Sequence, residues 1–270
     1  MMVEMPATGS APHAGALPVE LEIDYPDRQR RWTVLLRALL VIPHWIILSI
    51  LGIAVFFVAI TGWVCALFLQ RLPAWAADFL AGYVQWNTRV MAYFSLLVDR
   101  YPPFSLKPEP SYVVRPILPP ALTPADQVGA FFGVLFRAML YIPAGIVSLV
   151  LRYGWYVLCF FFWLIIAVLG RVPRPVFEAT AAALRYTMWA QCYLLLLTPS
   201  YPKRLFGDAA PAGGPAGNLE QLPPSTRPLL LSGGGRALLG VLLALGVLAL
   251  ILLYLPGILA SMAPPAAAPS

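Results

Sequence analysis

The chain has 270 residues, of which 60% are apolar and 11% are charged, and its formal net charge is +6. Soluble globular domains carry roughly 25% charged residues, so this composition excludes an ordinary soluble protein and predicts an integral membrane protein. The basic residues are scattered and form no Lys/Arg-rich run with interleaved aromatic residues. We therefore expect membrane lipids, and no nucleic acid, among its partners.

The N-terminal residues 1–18 are rich in Ala, Pro and Gly, which is typical of a disordered tail. They lack the basic start, apolar core and small-residue cleavage site of a signal peptide. Apolar and acidic residues then alternate from Val19 to Asp24, a pattern that predicts a short strand or an extended segment.

The next segment predicts a helix that lies in the membrane interface. Residues 28–42 are first basic and then apolar, with Trp32 at the border. Pro43 is expected to bend or break this helix, because proline removes one helical hydrogen bond and crowds the preceding turn. His44, beside Trp45, is interpreted as an anchor at the interface.

Long apolar runs follow, each with the roughly 20 residues that a membrane crossing requires. They predict a first span at 46–69 and, after a turn, a less apolar helix at 75–98. The same pair returns at 146–169 and 175–198, and a last span begins at Arg236 and reaches about Leu255. Gly233, Gly234 and Gly235, just before this span, are interpreted as a flexible hinge.

The two pairs are copies of each other at a spacing of 100 residues. The segment from Arg37 to Pro43 returns from Arg137 to Pro143, and Tyr93 returns as Tyr193. Matches at Arg, Pro and Tyr indicate duplication, since shared Leu and Ala alone follow from an apolar composition. The predicted division is a tail at 1–18, unit 1 at 19–106, a linker at 107–122, unit 2 at 123–206, a Pro/Gly/Ala-rich linker at 207–236, a C-terminal transmembrane helix at 237–262 and a tail at 263–270.

Two topologies are compatible with these elements. In the first, both helices of each unit cross the membrane, which gives an all-α fold of two parallel helical hairpins and about five spans. Most basic residues then share one side, so the positive-inside rule favours this model and a cytoplasmic N-terminus. In the second, the polar second helices lie in the interface, which leaves three spans and an inverted repeat.

Four charged residues of the second helices are candidates for a functional site, because a charge at membrane depth costs at least ~2.5 kcal/mol unless it is paired or hydrated. If the units pack about a twofold axis, Asp78 is expected to face Arg185, and Glu178 is expected to face Arg89. These intramembrane pairs would either line a path for an ion or small solute or hold the two units in register. The second reading is favoured, because too few polar residues are present to line a continuous path.

A further motif, Asp99-Arg100-Tyr101, stands where the second helix leaves the membrane and predicts a fixed interfacial exit. The two histidines, His13 and His44, do not cluster with other metal ligands, so no metal site is expected. Cys65, Cys159 and Cys192 give no disulfide framework. No phosphate loop, nucleophile elbow or dinucleotide fingerprint occurs, and we expect no catalytic residues and no cofactor.

Segments 23–28, 42–44, 87–89 and 99–106 resemble the bacterial membrane family with domain of unknown function 4389. The resemblance covers residues 19–106 and, in a more divergent form, 119–206, where Ala144 and Trp189 replace His44 and Arg89. It implies a duplicated multi-pass protein of the cell inner membrane and brings no activity with it.

The expected function is therefore that of a non-catalytic structural or partner-binding membrane subunit. Its partner would be another membrane protein or a second copy of this chain. The first alternative is a small transporter or channel component that uses the intramembrane charges. The second alternative, a lipid-modifying membrane enzyme, lacks a visible cluster of catalytic residues.

Overall fold

The structure, a computed structural model, describes residues 19–26, 28–69, 72–118, 131–208 and 225–262, so both predicted tails lie outside it. The described residues form helices and a small ribbon of two antiparallel strands, which agrees with the predicted helical fold. The helices are α1 (Arg31–Leu69), α2 (Ala74–Phe94), α3 (Phe131–Leu169), α4 (Arg174–Leu194) and α5 (Gly233–Met262), and the strands are β1 (Glu20–Ile23) and β2 (Val114–Ile117).

Helix α1 runs without a break through Pro43, and α3 runs in the same way through Pro143. The prediction of a separate helix at 28–42 is therefore wrong, and Pro43 does not break the helix. Proline removes only one helical hydrogen bond, and a long helix packed along its length can tolerate that loss. In the turn before Pro43, the Tyr101 hydroxyl donates to the Leu40 carbonyl over 3.2 Å.

The second helices end four residues earlier than predicted, and both end in the same way. Leu96 and Leu196 have φ of 65° and 61°, the left-handed conformation that usually belongs to glycine. The Leu97 amide then donates to the Ala92 carbonyl, and the Leu96 amide donates to the Tyr93 carbonyl. This is the Schellman pattern of helix termination, formed here without a glycine.

The two units lie antiparallel to each other. The Gln29 amide, just before α1, donates to the Gly170 carbonyl at the end of α3 over 2.9 Å. At the other end of the fold, the Trp63 indole of α1 donates to the Leu194 carbonyl of α4. The reciprocal pair, Trp163 and Phe94, has ring centroids 6.2 Å apart, as an approximate twofold axis requires.

The predicted parallel arrangement of the hairpins is consequently wrong. If both helices of each unit crossed the membrane, the turns before Ala74 and Arg174 would lie on one side, whereas the structure places them at opposite ends. Three of the described helices are long and apolar enough to cross a membrane, which is consistent with a membrane protein, and α2 and α4 are not among them. These candidate spans are Arg31–Leu69, Leu135–Leu169 and Gly233–Pro256.

The helices and the ribbon form layers of different polarity. Nearly all large apolar side chains that are exposed on the described helices belong to α1, α3 and α5, and Trp75 is the exception on α2. Helix α4 is almost completely buried, and α2 packs beside it. The ribbon packs on the other face of this pair, with β1 against α4 and β2 against α2.

The predicted glycine hinge at 233–235 is wrong, because these residues form the first turn of α5. The Ser232 hydroxyl accepts a hydrogen bond from the Gly235 amide over 3.1 Å and so caps the helix. A Cβ atom at Gly235 would lie 2.5 Å from Glu178 Oε2. A larger residue at this position would therefore have to displace the Glu178 carboxylate.

Helices α3 and α5 touch backbone to backbone at two glycines. A Cβ atom at Gly154 would lie 1.8 Å from the Leu242 carbonyl oxygen, and one at Gly246 would lie 1.9 Å from the Val150 carbonyl oxygen. Small residues allow this close approach between membrane helices. The close packing of α5 against unit 2 thus depends on glycine at these two positions.

We expect Gly246→Ala to destabilise the protein by about 1–3 kcal/mol, because the methyl group must push α5 away from α3. Gly240→Ala on the same helix is the matched control, since a Cβ atom there meets nothing within 4 Å. Thermal unfolding of the detergent-solubilised protein measures both. Equal melting temperatures for the two variants would show that the helices do not pack as described.

Candidate functional site

The polar centre of unit 1 is built around Arg37, which is fully buried near the start of α1. Its guanidinium donates to the Tyr93 carbonyl and forms an ion pair with Asp99, both over 3.1 Å. It also lies 4.5 Å from the centroid of the Tyr93 ring. Asp99 accepts a further hydrogen bond from the Thr33 hydroxyl over 2.6 Å. The start of α1 is thereby fixed to the end of α2.

Unit 2 repeats this arrangement with one difference. Arg137 lies 4.4 Å from the centroid of the Tyr193 ring and donates to the Thr198 carbonyl. Pro199 occupies the place of Asp99, so this guanidinium has no carboxylate partner there. The charge remains favourable because the last carbonyls of a helix carry partial negative charge.

The four predicted candidates do not form the predicted pairs. Arg185 forms its ion pair with Asp208 over 2.7 Å, and Glu178 lies 3.5 Å from Arg174 of its own helix. Arg89 is buried and donates to the carbonyls of Ser105 and Lys107, while Asp78 is exposed and forms no ion pair with a described residue. The pairing of Asp78 with Arg185 and of Glu178 with Arg89 is therefore wrong.

The charges other than Asp78 have separate local roles. Arg89 holds the segment after α2 against that helix. Its counterpart in unit 2, Trp189, does the same through an indole hydrogen bond to the Ser200 carbonyl over 2.9 Å. Glu178 accepts hydrogen bonds from the amide and the hydroxyl of Ser232 over 2.8 and 2.6 Å and so attaches α5 to α4.

The predicted exit motif folds back into the helices. Asp99 belongs to the Arg37 centre, and Arg100 donates to the Ser111 carbonyl over 3.1 Å. Tyr101 packs edge-on against Tyr93, with ring centroids 5.7 Å apart, and unit 2 repeats this contact between Tyr193 and Tyr201. The motif therefore contacts helices α1 and α2 of its own unit.

His44 is completely buried, so the prediction that it anchors the chain at the interface is wrong. Its Nδ1 accepts a hydrogen bond from the Trp86 indole over 3.2 Å, and its ring stacks on Phe104 at 3.9 Å. The residue fills the groove between α1 and α2. The interface anchor was predicted because His44 precedes Trp45 in the sequence, and tryptophan is common at membrane interfaces.

The ribbon carries its own group of charges. Arg115 on β2 lies 3.2 Å from Glu22 of β1 and 2.9 Å from Asp24, the residue that follows β1. Hydrogen bonds to Glu22 and Asp24 raise the pKa of the Arg115 guanidinium. The ribbon also holds Thr226, whose hydroxyl accepts from the Ile23 amide over 2.9 Å and donates to the Leu21 carbonyl over 2.7 Å.

Each helical hairpin corresponds to one match of the same protein-family model. The family model for the domain of unknown function DUF4389 matches residues 31–105 and, a second time, residues 133–205. The chain belongs to this family. The matches confirm the resemblance and its two tandem copies, and each DUF4389 unit contains one helical hairpin with its buried arginine. No curated protein and no solved structure matched the chain.

Within the described part of this DUF4389 protein, no group of three or more His, Cys, Asp or Glu side chains is placed to hold a metal ion. Sequence reasoning did not identify the Arg37 and Arg137 centres. Both arginines belong to the repeated segment, and Tyr93 and Tyr193 also repeat. A recurring polar residue inside an apolar repeat was thus the signal that could have revealed them.

We expect Arg37→Gln to lower the free energy of unfolding by about 3 kcal/mol, because it leaves buried acceptors and Asp99 without their partner. Asp99→Asn should cost about 1 kcal/mol, since Thr33 and the Tyr93 carbonyl still hold the site. Arg30→Gln is the control, because it removes a nearby positive charge that is exposed. The free energy of unfolding is measured in detergent micelles. Equal values for Arg37→Gln and Arg30→Gln would contradict a stabilising role of the Arg37 centre.

Proposed function

We propose that this DUF4389 protein is a non-catalytic membrane subunit with a structural or partner-binding role. The observation that supports this is the use of its buried charges. Five charged side chains are buried in the described residues, and each is engaged by groups of the same chain. They are Arg37, Arg89, Arg137, Glu178 and Arg185. Charges fixed in this way stabilise helix packing and leave little capacity for chemistry.

The buried charges are also dispersed through the fold, and this separation counts against a transporter. A transport path needs several polar groups that face one hydrated cavity and exchange partners during the cycle. Here Glu178 lies at the start of α5, while Arg89 lies beside the segment that follows α2. Asp78 is exposed on α2 and shares no partner with either of them.

The placement of the ribbon bears on how the protein sits in the membrane. Pro116 and Arg115 lie beside Gln85 and Arg89, in the middle of α2. If α1 and α3 crossed the membrane upright, the ion-paired charges of the ribbon would lie at membrane depth, where their loss of hydration costs several kcal/mol per ion. A 39-residue helix is also about 58 Å long, whereas the hydrocarbon core measures roughly 30 Å.

We therefore infer that α1 and α3 lie close to the plane of the cell inner membrane, embedded in one leaflet without crossing it, with the ribbon at the aqueous surface. The apolar layer of α1, α3 and α5 would face lipid, and the polar layer would face water or a partner protein. Arg28, Arg30 and Arg31 flank the ribbon and the start of α1. The positive-inside rule places this surface, and the N-terminus, in the cytoplasm.

Single cysteines at Pro73, Pro173 and Lys107, in a background without Cys65, Cys159 and Cys192, test this arrangement. We expect all three to be protected from an impermeant thiol reagent in intact cells and labelled in inverted vesicles. Labelling of 73 and 173 from opposite sides would instead indicate upright, antiparallel crossings. Labelling of both from outside, with 107 protected, would indicate parallel hairpins. A chain that retains only the buried Cys192 is the unreactive control.

The non-transport role has its own test. We expect purified protein in liposomes to give proton and ion fluxes equal to those of protein-free liposomes. Glu178→Gln should lower the melting temperature, because it weakens the attachment of α5, without changing any flux. A flux that appears with the wild-type protein and disappears with Glu178→Gln, at equal reconstitution, would favour the transporter.

A further inference from the structure

A cavity of about 260 Å³ lies among α2, α3 and α4, on the side of α2 that faces away from the ribbon. Its lining contains amide, hydroxyl and guanidinium groups and no carboxylate. Asn87 and Gln191 meet across it, with Asn87 Nδ2 donating to Gln191 Oε1 over 3.5 Å. The one charged group among the described lining residues is the guanidinium of Arg152, which suits an anionic group.

Two lining side chains are deeply buried and have a polar atom without a hydrogen-bond partner among the described residues. Trp155 is 5% exposed and its Nε1–H has no acceptor, and Thr180 is 3% exposed and its hydroxyl has no partner. A buried donor without an acceptor costs about 1–3 kcal/mol. Each of the two atoms is itself almost inaccessible, so its side chain must rotate before an acceptor in the cavity can satisfy it.

Arg152 supplies a positive charge at the mouth of the same cavity. It is exposed, lies one helical turn before Trp155 on the apolar helix α3, and forms no ion pair with a described residue. An ionisable residue within an apolar membrane helix indicates a functional site by default, and an anion is one of the partners that would satisfy its charge. A guanidinium also binds phosphate well, through two parallel hydrogen bonds.

We propose that this cavity binds the phosphate of an anionic phospholipid. Arg152 pairs with the phosphate, and the Trp155 indole and the Thr180 hydroxyl turn towards the cavity when the lipid binds and donate hydrogen bonds to its ester or glycerol oxygens. The volume admits a headgroup but not a whole lipid, so the acyl chains lie outside. They follow the exposed apolar side chains of α3, among them Val157, Phe160 and Phe161. This site goes beyond the structural role proposed above.

The test is lipid binding by the full chain in detergent, measured by native mass spectrometry. Phosphatidylglycerol is titrated against phosphatidylcholine, which has the same phosphate but no net charge, and inorganic phosphate is added as a competitor. We expect the wild-type protein to prefer phosphatidylglycerol about 10-fold and Arg152→Gln to lose this preference. Arg236→Gln, which removes an exposed charge at the start of α5 outside the cavity, should keep it.

Thr180→Val separates binding from folding. Because it removes an unpartnered buried hydroxyl, it should leave the melting temperature of the lipid-free protein unchanged or higher, while it weakens phosphatidylglycerol binding several-fold. Equal affinities of wild type and Arg152→Gln for phosphatidylglycerol would overturn the proposal. Displacement of the lipid by millimolar inorganic phosphate, without any preference between the two lipids, would also overturn it and assign the cavity to a free anion.

Discussion

The fold depends on the need of a buried guanidinium for hydrogen-bond acceptors. Arg37 and Arg137 each lie near the start of a long apolar helix, where lipid and apolar side chains offer none. The acceptors come from the Tyr93 carbonyl at the end of α2, which also accepts from the Leu96 amide, and from the Thr198 carbonyl just beyond α4. Each guanidinium thus joins the start of a long helix to the end of its hairpin. This contact fixes the register of each hairpin, and the surfaces through which the units pack depend on that register.

Much of the helical content could be predicted from hydropathy and the repeat, because long apolar runs and matching Arg, Pro and Tyr positions are visible in one sequence. The helix ends could not, since Leu96 and Leu196 adopt a conformation that sequence rules assign to glycine. The relative orientation of the two units could not be predicted either, because a spacing of 100 residues is compatible with both parallel and antiparallel units. The predicted charge pairs failed for a different reason, because Arg89, Arg185 and Glu178 find their partners in segments outside the helices. The cavity residues Trp155 and Thr180 resemble ordinary helix residues in the sequence.

The two units share a scaffold but are stabilised differently. Unit 1 closes its polar centre with Asp99 and uses Arg89 to hold the segment that follows its hairpin. In unit 2 these positions are Pro199 and Trp189, and the polar contacts move to Arg185 with Asp208 and to Glu178 with Ser232. The second pair attaches α5, which packs along α3 at two glycines. Divergence of the second unit therefore accompanies its contact with the additional helix.

The approximate twofold axis between the units has a consequence for the origin of the chain. Trp63 reaches the end of α4 as Trp163 reaches the end of α2, so each hairpin presents the same surface to the other. A protein with a single hairpin would bury this surface only by forming a homodimer with the same symmetry. Gene duplication and fusion turn that concentration-dependent assembly into an intramolecular one. After fusion each half is free to mutate alone, and a lipid-binding cavity between unlike halves can then arise at one site instead of two.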